Sequence, residues 1–195
     1  MNREKVTELF ILKCAALRLA VDEIAVPLSR RPNVSTPVEA SLDPFVSQFP
    51  EETRVHAHAM AEHYRLFYML ENDIRKLIDS VMTEAKGADW WASHAPGSAK
   101  EECRSNQQRE AEAGVTSRSE NELDYISFGQ LGEIMRTHWG LFGGVLSNQK
   151  AMGRVMFGLN MLRGPIAHCG LLADDEVDRL HLTVKDWFRL LEGPK

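Results

Sequence analysis

Wherever apolar residues are dense in this chain, they fall at helical spacing. Met60, Tyr64, Phe67, Ile74, Ile78 and Val81 follow one another at helical steps, which predicts a buried stripe on a helix of about eight turns at 3.6 residues per turn. Gly87 is placed to end it. Phe128, Leu131, Met135 and Phe142 form a second face, opened by Ser127 and Gln130 at capping-box spacing, so a helix starts near Phe128. Gly140, Gly143 and Gly144 then break the pattern. Ser147 or Asn148 can cap the next helix, whose face carries Met152, Val155, Met156, Leu159 and Leu162. That helix is expected to stop near Arg163, because the residue before Pro165 is pushed out of α geometry. Asp174 and Asp175 suit the start of a short helical turn. Thr183 with Asp186 offers a separate capping box for a last helix bearing Val184, Trp187, Phe188 and Leu191.

No strict polar/apolar alternation interrupts this sequence of elements, so the expected fold class is all-α, with four principal helices in a bundle. Two segments stand apart. Ser93 to Glu122 is polar and mixed in charge, with a possible helix over Ala99 to Ala113, and reads as a peripheral helical insertion. Ahead of the bundle, five of the eight prolines fall between Pro27 and Pro50, which indicates a linker or extended arm. Asn2 to Ile24 precedes that arm with the composition and spacing of an additional N-terminal helix. The expected division is therefore an arm over residues 1–50 and a helical domain over 51–195.

Composition narrows the function. Among 195 residues, 23 Lys and Arg face 28 Asp and Glu, a formal charge of −5, which excludes a broad basic surface for nucleic acid. Three scattered cysteines, Cys14, Cys103 and Cys169, form no C-x-x-C pair and point to a reducing compartment rather than a disulfide framework. The apolar run from Leu9 to Val21 is broken by Lys13 and Arg18, so neither a signal peptide nor a membrane span is expected, and the chain reads as soluble and cytoplasmic. His56, His58 and His63 do not share one helix face with a completing ligand and read as surface histidines, leaving no metal site. Trp90, Trp91 and Trp139 read as core residues. No P-loop, G-x-G-x-x-G or G-x-S-x-G is present, and no cofactor is implied.

Two places can carry chemistry. Glu71 lies on the stripe of Phe67, Ile74 and Ile78 although it is charged, and a buried carboxylate needs a partner. Arg75, four residues on, can supply one, either as an ion pair at the core edge or as part of a polar cleft in which the two orient other groups. The second place is Arg163 and His168 in the run Arg163-Gly164-Pro165-Ile166-Ala167-His168. An arginine can hold a phosphate through two parallel bonds and a histidine can move a proton near neutral pH. The bland alternative is a helix end stabilised by Arg163 beside a satisfied His168.

These residues resemble the HEPN superfamily (higher eukaryotes and prokaryotes nucleotide-binding domains), whose motif is Arg, four to six residues, then His, matched here as RGPIAH. The likeness extends to the branch typified by the C-terminal domain of the Swt endoribonuclease through LENDIRKLI (70–78), GADWW (87–91), YISFGQLGEI (125–134), HWGLF (138–142) and residues 160–169. It covers roughly residues 55–192. The resemblance implies a four-helix core that commonly forms a homodimer with a composite active site. It implies metal-independent endoribonuclease activity that leaves 2′,3′-cyclic phosphate and 5′-hydroxyl ends. In that scheme Arg163 binds the scissile phosphate, His168 is general base or acid, and Glu71 and Arg75 orient them. Gly164 departs from the family's usual polar residue, most often Asn, after the motif Arg. The alternative function is thus a noncatalytic HEPN module for dimerisation or for RNA or protein binding. Bacterial members often act as toxins or antiviral defence effectors, which adds an antitoxin or regulatory protein to the expected partners.

Overall fold

The computed structural model of the protein describes residues 44–192. The expected N-terminal helix and most of the proline-rich arm lie outside the described residues. The chain divides after Pro50, and the unit from Glu51 onward is treated by itself. Its helices are α1 (Glu51–Lys86), α2 (Trp90–His94), α3 (Gly97–Ala113), α4 (Phe128–Thr137), α5 (Trp139–Phe142), α6 (Gln149–Ala167) and α7 (Asp174–Leu191), with a 3-10 turn at Glu122–Tyr125. The fold is all-α. No strand occurs among the described residues.

α1, α4, α6 and α7 form the bundle. α6 packs against each of the other three, and α1 also packs against α4. With 36 residues, α1 is about ten turns long and not eight. Glu51 and Glu52 face the partial positive charge of its start and Lys86 the negative end, and Gly87 takes φ 88 to leave the helix. Its buried stripe is Phe67, Leu70, Ile74, Ile78 and Met82. Burying each such side chain contributes about 1.5–3 kcal/mol, so this face fixes how α1 sits. Tyr64, expected on that stripe, is instead exposed. The close crossing of α4 and α6 relies on Gly132, where an added Cβ would lie 3.4 Å from the Met156 Cβ.

The expected end of α6 near Arg163 is overturned: the helix runs through Pro165 to Ala167. Leu162 and Ile166 are one turn apart and both buried, so stopping at Arg163 would strip a core contact. Gly164 makes continuation possible, because it has no Cβ to meet the proline ring. The helix ends at His168, with Cys169 in the left-handed region at φ 58 and the Gly170 N–H donating to the Pro165 carbonyl at 2.8 Å.

Two capping expectations also change. α4 does start at Phe128, but Ser127 and Gln130 form no capping box. Glu102 of α3 accepts from both the Ser127 N–H (2.9 Å) and its hydroxyl (3.1 Å), while Gln130 accepts from Ser98. Thr183 does not open a separate helix either. Its hydroxyl donates back to the Arg179 carbonyl at 2.6 Å, and the stripe Leu180, Val184, Trp187 and Leu190 carries α7 through without a break. Phe188 falls off that stripe and is exposed. Asn148 does cap α6, accepting from the Ala151 N–H at 2.9 Å.

The polar insertion forms α3 and reaches the core through small side chains alone, Ala95, Ala99 and Cys103. Its polar residues hold the 3-10 turn. The Asn106 amide donates to the Tyr125 carbonyl at 2.7 Å, and Leu123 and Tyr125 are driven into the core. Trp90 is buried, and Trp91 and Trp139 pack partly against the core.

Candidate functional site

Glu71 is the one buried charged side chain among the described residues, at 8% exposure. A charge there requires partners, and the fold supplies two from opposite directions. One oxygen accepts from the Arg75 Nη2 at 2.5 Å, one turn further along α1. The other accepts from the Arg163 Nε at 3.3 Å, brought in by α6 from 92 residues away. The ion pair at the core edge and the polar cleft, posed as alternatives for Glu71 and Arg75, are therefore one structure.

Arg75 is held on a second side by the 3-10 turn. Its Nε donates to the Leu123 carbonyl at 3.0 Å and lies 3.6 Å from the Asp124 carboxylate. Arg75 thereby gives its Nε and one terminal nitrogen to protein groups. Arg163 is different: its Nε alone is engaged among the described residues, and its side chain keeps 37% exposure. Its two terminal nitrogens remain as a fork for a planar or tetrahedral oxyanion.

These groups line a groove of about 470 Å³, within the usual range of about 300–1,000 Å³ for ligand sites. Tyr64, Tyr68 and Asn72 of α1, Arg118 of the insertion and Asp124 of the 3-10 turn line it as well. Arg118 is paired with Glu110 at 2.5 Å and stands 5.2 Å from the Tyr125 ring centre. A second hollow of about 290 Å³, bordered by Asp79, Glu120 and Glu122, contains no cationic side chain and repels phosphate.

His168 does not join the others. It is exposed at the C-terminus of α6 and does not line the groove, although Ile166 and Ala167 do. Five residues at about 100° each place it roughly 140° around the helix from Arg163. Within one chain the four expected site residues thus separate into a cluster of three and a lone histidine.

The family model described as Swt1-like HEPN matches residues 65–192, about two thirds of the chain. The chain belongs to the Swt1-like HEPN family. No match is found among curated proteins or among solved structures. The HEPN match takes in Glu71, Arg75, Arg163 and His168 and begins one residue after Tyr64.

In this HEPN domain the groove residues missed by sequence reasoning are Tyr68, Asn72, Arg118 and Asp124. Tyr64, Tyr68 and Asn72 recur at i, i+4 and i+8 beside the core stripe, a signal that was available. Nothing local marks Arg118 or Asp124, which lie more than 40 residues from Arg75 and arrive through the insertion. Of the three histidines near the start of α1, His58 is exposed and His56 and His63 are half-buried. No group of metal-ligating side chains gathers among the described residues, and no described helix is long and apolar enough to cross a membrane.

Proposed function

We propose that this HEPN domain is a metal-independent endoribonuclease acting as a homodimer. The observation that carries this reading is Arg163, fixed by a buried carboxylate at one nitrogen while its fork stays open to a groove. Such a fork suits the nonbridging oxygens of a phosphodiester and is preorganised for the charge that grows on them. In the reaction the RNA 2′-oxygen attacks phosphorus and gives its proton to a base. The 5′-oxygen leaves with a proton, giving a 2′,3′-cyclic phosphate and a 5′-hydroxyl. His168 is the residue for proton transfer, and because it does not line its own chain's groove, the proposal takes it from a second copy. Phe157, Met161, Gly164 and His168 follow one another at four-, three- and four-residue steps on α6, with Phe157 and Met161 exposed. That stripe is the surface assigned to the second copy. Glu71 and Arg75 are positioning residues in this scheme. The biological setting proposed is a cytoplasmic toxin or defence effector with a regulatory protein partner.

The test is cleavage of transfer or messenger RNA in EDTA, scored by cyclic-phosphate ends. Arg163→Ala and His168→Ala should each abolish cleavage, and mixing the two inactive proteins should restore it, since one composite site in each mixed dimer keeps both residues. Cleavage unaffected by either substitution, or no cleavage under any metal condition, sinks the reading. The second reading, a noncatalytic binding and dimerisation module, is favoured by Gly164, which leaves the position after Arg163 without a polar side chain. Its signature is a stable dimer with no nuclease activity.

A further inference from the structure

Tyr64 and Tyr68 are out of place by the logic that arranges the rest of α1. The phenylalanine between them on α1, Phe67, is buried and packs against Phe128 with ring centres 5.4 Å apart. The two tyrosines are each more than half exposed, at 57% and 58%, and lie beside each other with ring centres 6.2 Å apart and planes inclined by 34°. Neither hydroxyl forms a hydrogen bond among the described residues. They are one turn apart and line the same groove as Arg163. Tyr68 is three residues before Glu71, a rise of about 4.5 Å along the helix.

We infer that Tyr64 and Tyr68 are a stacking platform for an unpaired base of single-stranded RNA whose phosphate is held at Arg163. The inference rests on the RNA-cleaving reading of this groove and names the substrate class for it. Base faces in a duplex are covered by their neighbours, so only an unpaired nucleotide can lay one on a tyrosine. The electrostatics require such a platform. The net charge of −5 disfavours general capture of phosphates. Arg75 gives its Nε and one terminal nitrogen to Leu123 and Glu71, and Arg118 gives its Nε to Glu110 and one terminal nitrogen to the Asp124 carbonyl, so among the described residues Arg163 is the groove arginine with both terminal nitrogens open. Affinity must then come largely from uncharged contacts, and two exposed rings in the groove lining provide them. Asn72, whose amide donates to the Tyr68 carbonyl at 2.8 Å, continues the same face toward Arg75.

The probe is a 2′-O-methyl RNA oligonucleotide carrying 2-aminopurine, offered to the full chain either single-stranded or annealed. Expected are quenching of the single strand by stacking and a weak salt dependence, with a slope of about −0.7 for each phosphate engaged and one or two engaged. Tyr64→Ala with Tyr68→Ala should remove the quench and lower affinity by about tenfold or more. Tyr64→Phe with Tyr68→Phe should keep both, because the ring and not the hydroxyl is what stacks. Duplex bound as tightly as single strand, or affinity unchanged in the alanine variant, overturns the inference. The probe lacks the attacking hydroxyl, so failure to cleave ordinary RNA counts against the nuclease reading alone, and loss of the platform is read from the quench.

Discussion

Arg163 and His168 are five residues apart on one helix and live in two different environments. Arg163 faces a groove and is gripped by a carboxylate from α1 that is itself nearly sealed from water. His168 stands at the exposed end of α6, next to a cysteine forced into left-handed backbone geometry. The difference teaches that the two halves of the proposed chemistry are prepared by different means. The phosphate-holding half is built by packing within one chain. The proton-moving half is left on a surface, where the proposed scheme brings in a second copy.

The sharpest way to break this contrast is to remove Glu71. Glu71→Ala leaves two guanidinium groups beside each other without their shared anion, and breaking a buried pair in this way costs about 3–5 kcal/mol. Thermal or urea unfolding should show that loss, whereas His168→Ala should change stability by less than about 0.5 kcal/mol. If the two substitutions destabilise alike, the groove is not a packed structure and the contrast fails. Cys169 gives a smaller effect. A non-glycine residue in left-handed geometry costs about 1–2 kcal/mol, so Cys169→Gly should stabilise the protein by about 1 kcal/mol while leaving the groove unchanged.

The smallest effect concerns Arg118 in the groove lining and its partner Glu110. Partial burial pulls the Glu110 carboxyl up, but the side-chain and backbone bonds from Arg118 outweigh it and hold the group below the usual carboxylate range. A depressed folded-state value means the pair stabilises the insertion above the ordinary glutamate range. That contribution is lost as pH falls through the folded value. Hydrogen exchange at residues 118–125 should therefore accelerate at acid pH relative to the α1 core, and Glu110→Gln should remove the pH dependence. Equal acceleration in the variant would assign the effect elsewhere.

Much of the helical frame was legible because burial imposes a period. The α6 stripe, the α4 stripe of Phe128, Leu131 and Met135, the glycine that ends α1 and the Asn148 cap all follow from spacing and local backbone chemistry, whereas Phe142, expected on the α4 face, lies on the separate helix α5. The errors arose where a local rule met a tertiary demand. Pro165 argued for a helix end, but Leu162 and Ile166 both needed the core and Gly164 removed the obstacle. Ser127 was expected to cap α4 with Gln130, but Glu102 from a distant helix supplied a stronger acceptor. Tyr64 matched the core period and still pointed outward, because the stripe that packs begins at Phe67.

The sequence by itself determined the fold class, the family and the suspicion that Glu71 and Arg75 belong together, since periodicity, ordered motifs and an i,i+4 pair are all local properties. Only the tertiary structure decided that Glu71 also grips Arg163, that the 3-10 turn holds Arg75, and that His168 is turned away from the groove. Those are contacts between residues 48 to 92 positions apart, or a direction around a helix that depends on where the helix ends. Packing of whole helices fixes such relations, and no short stretch of sequence encodes them.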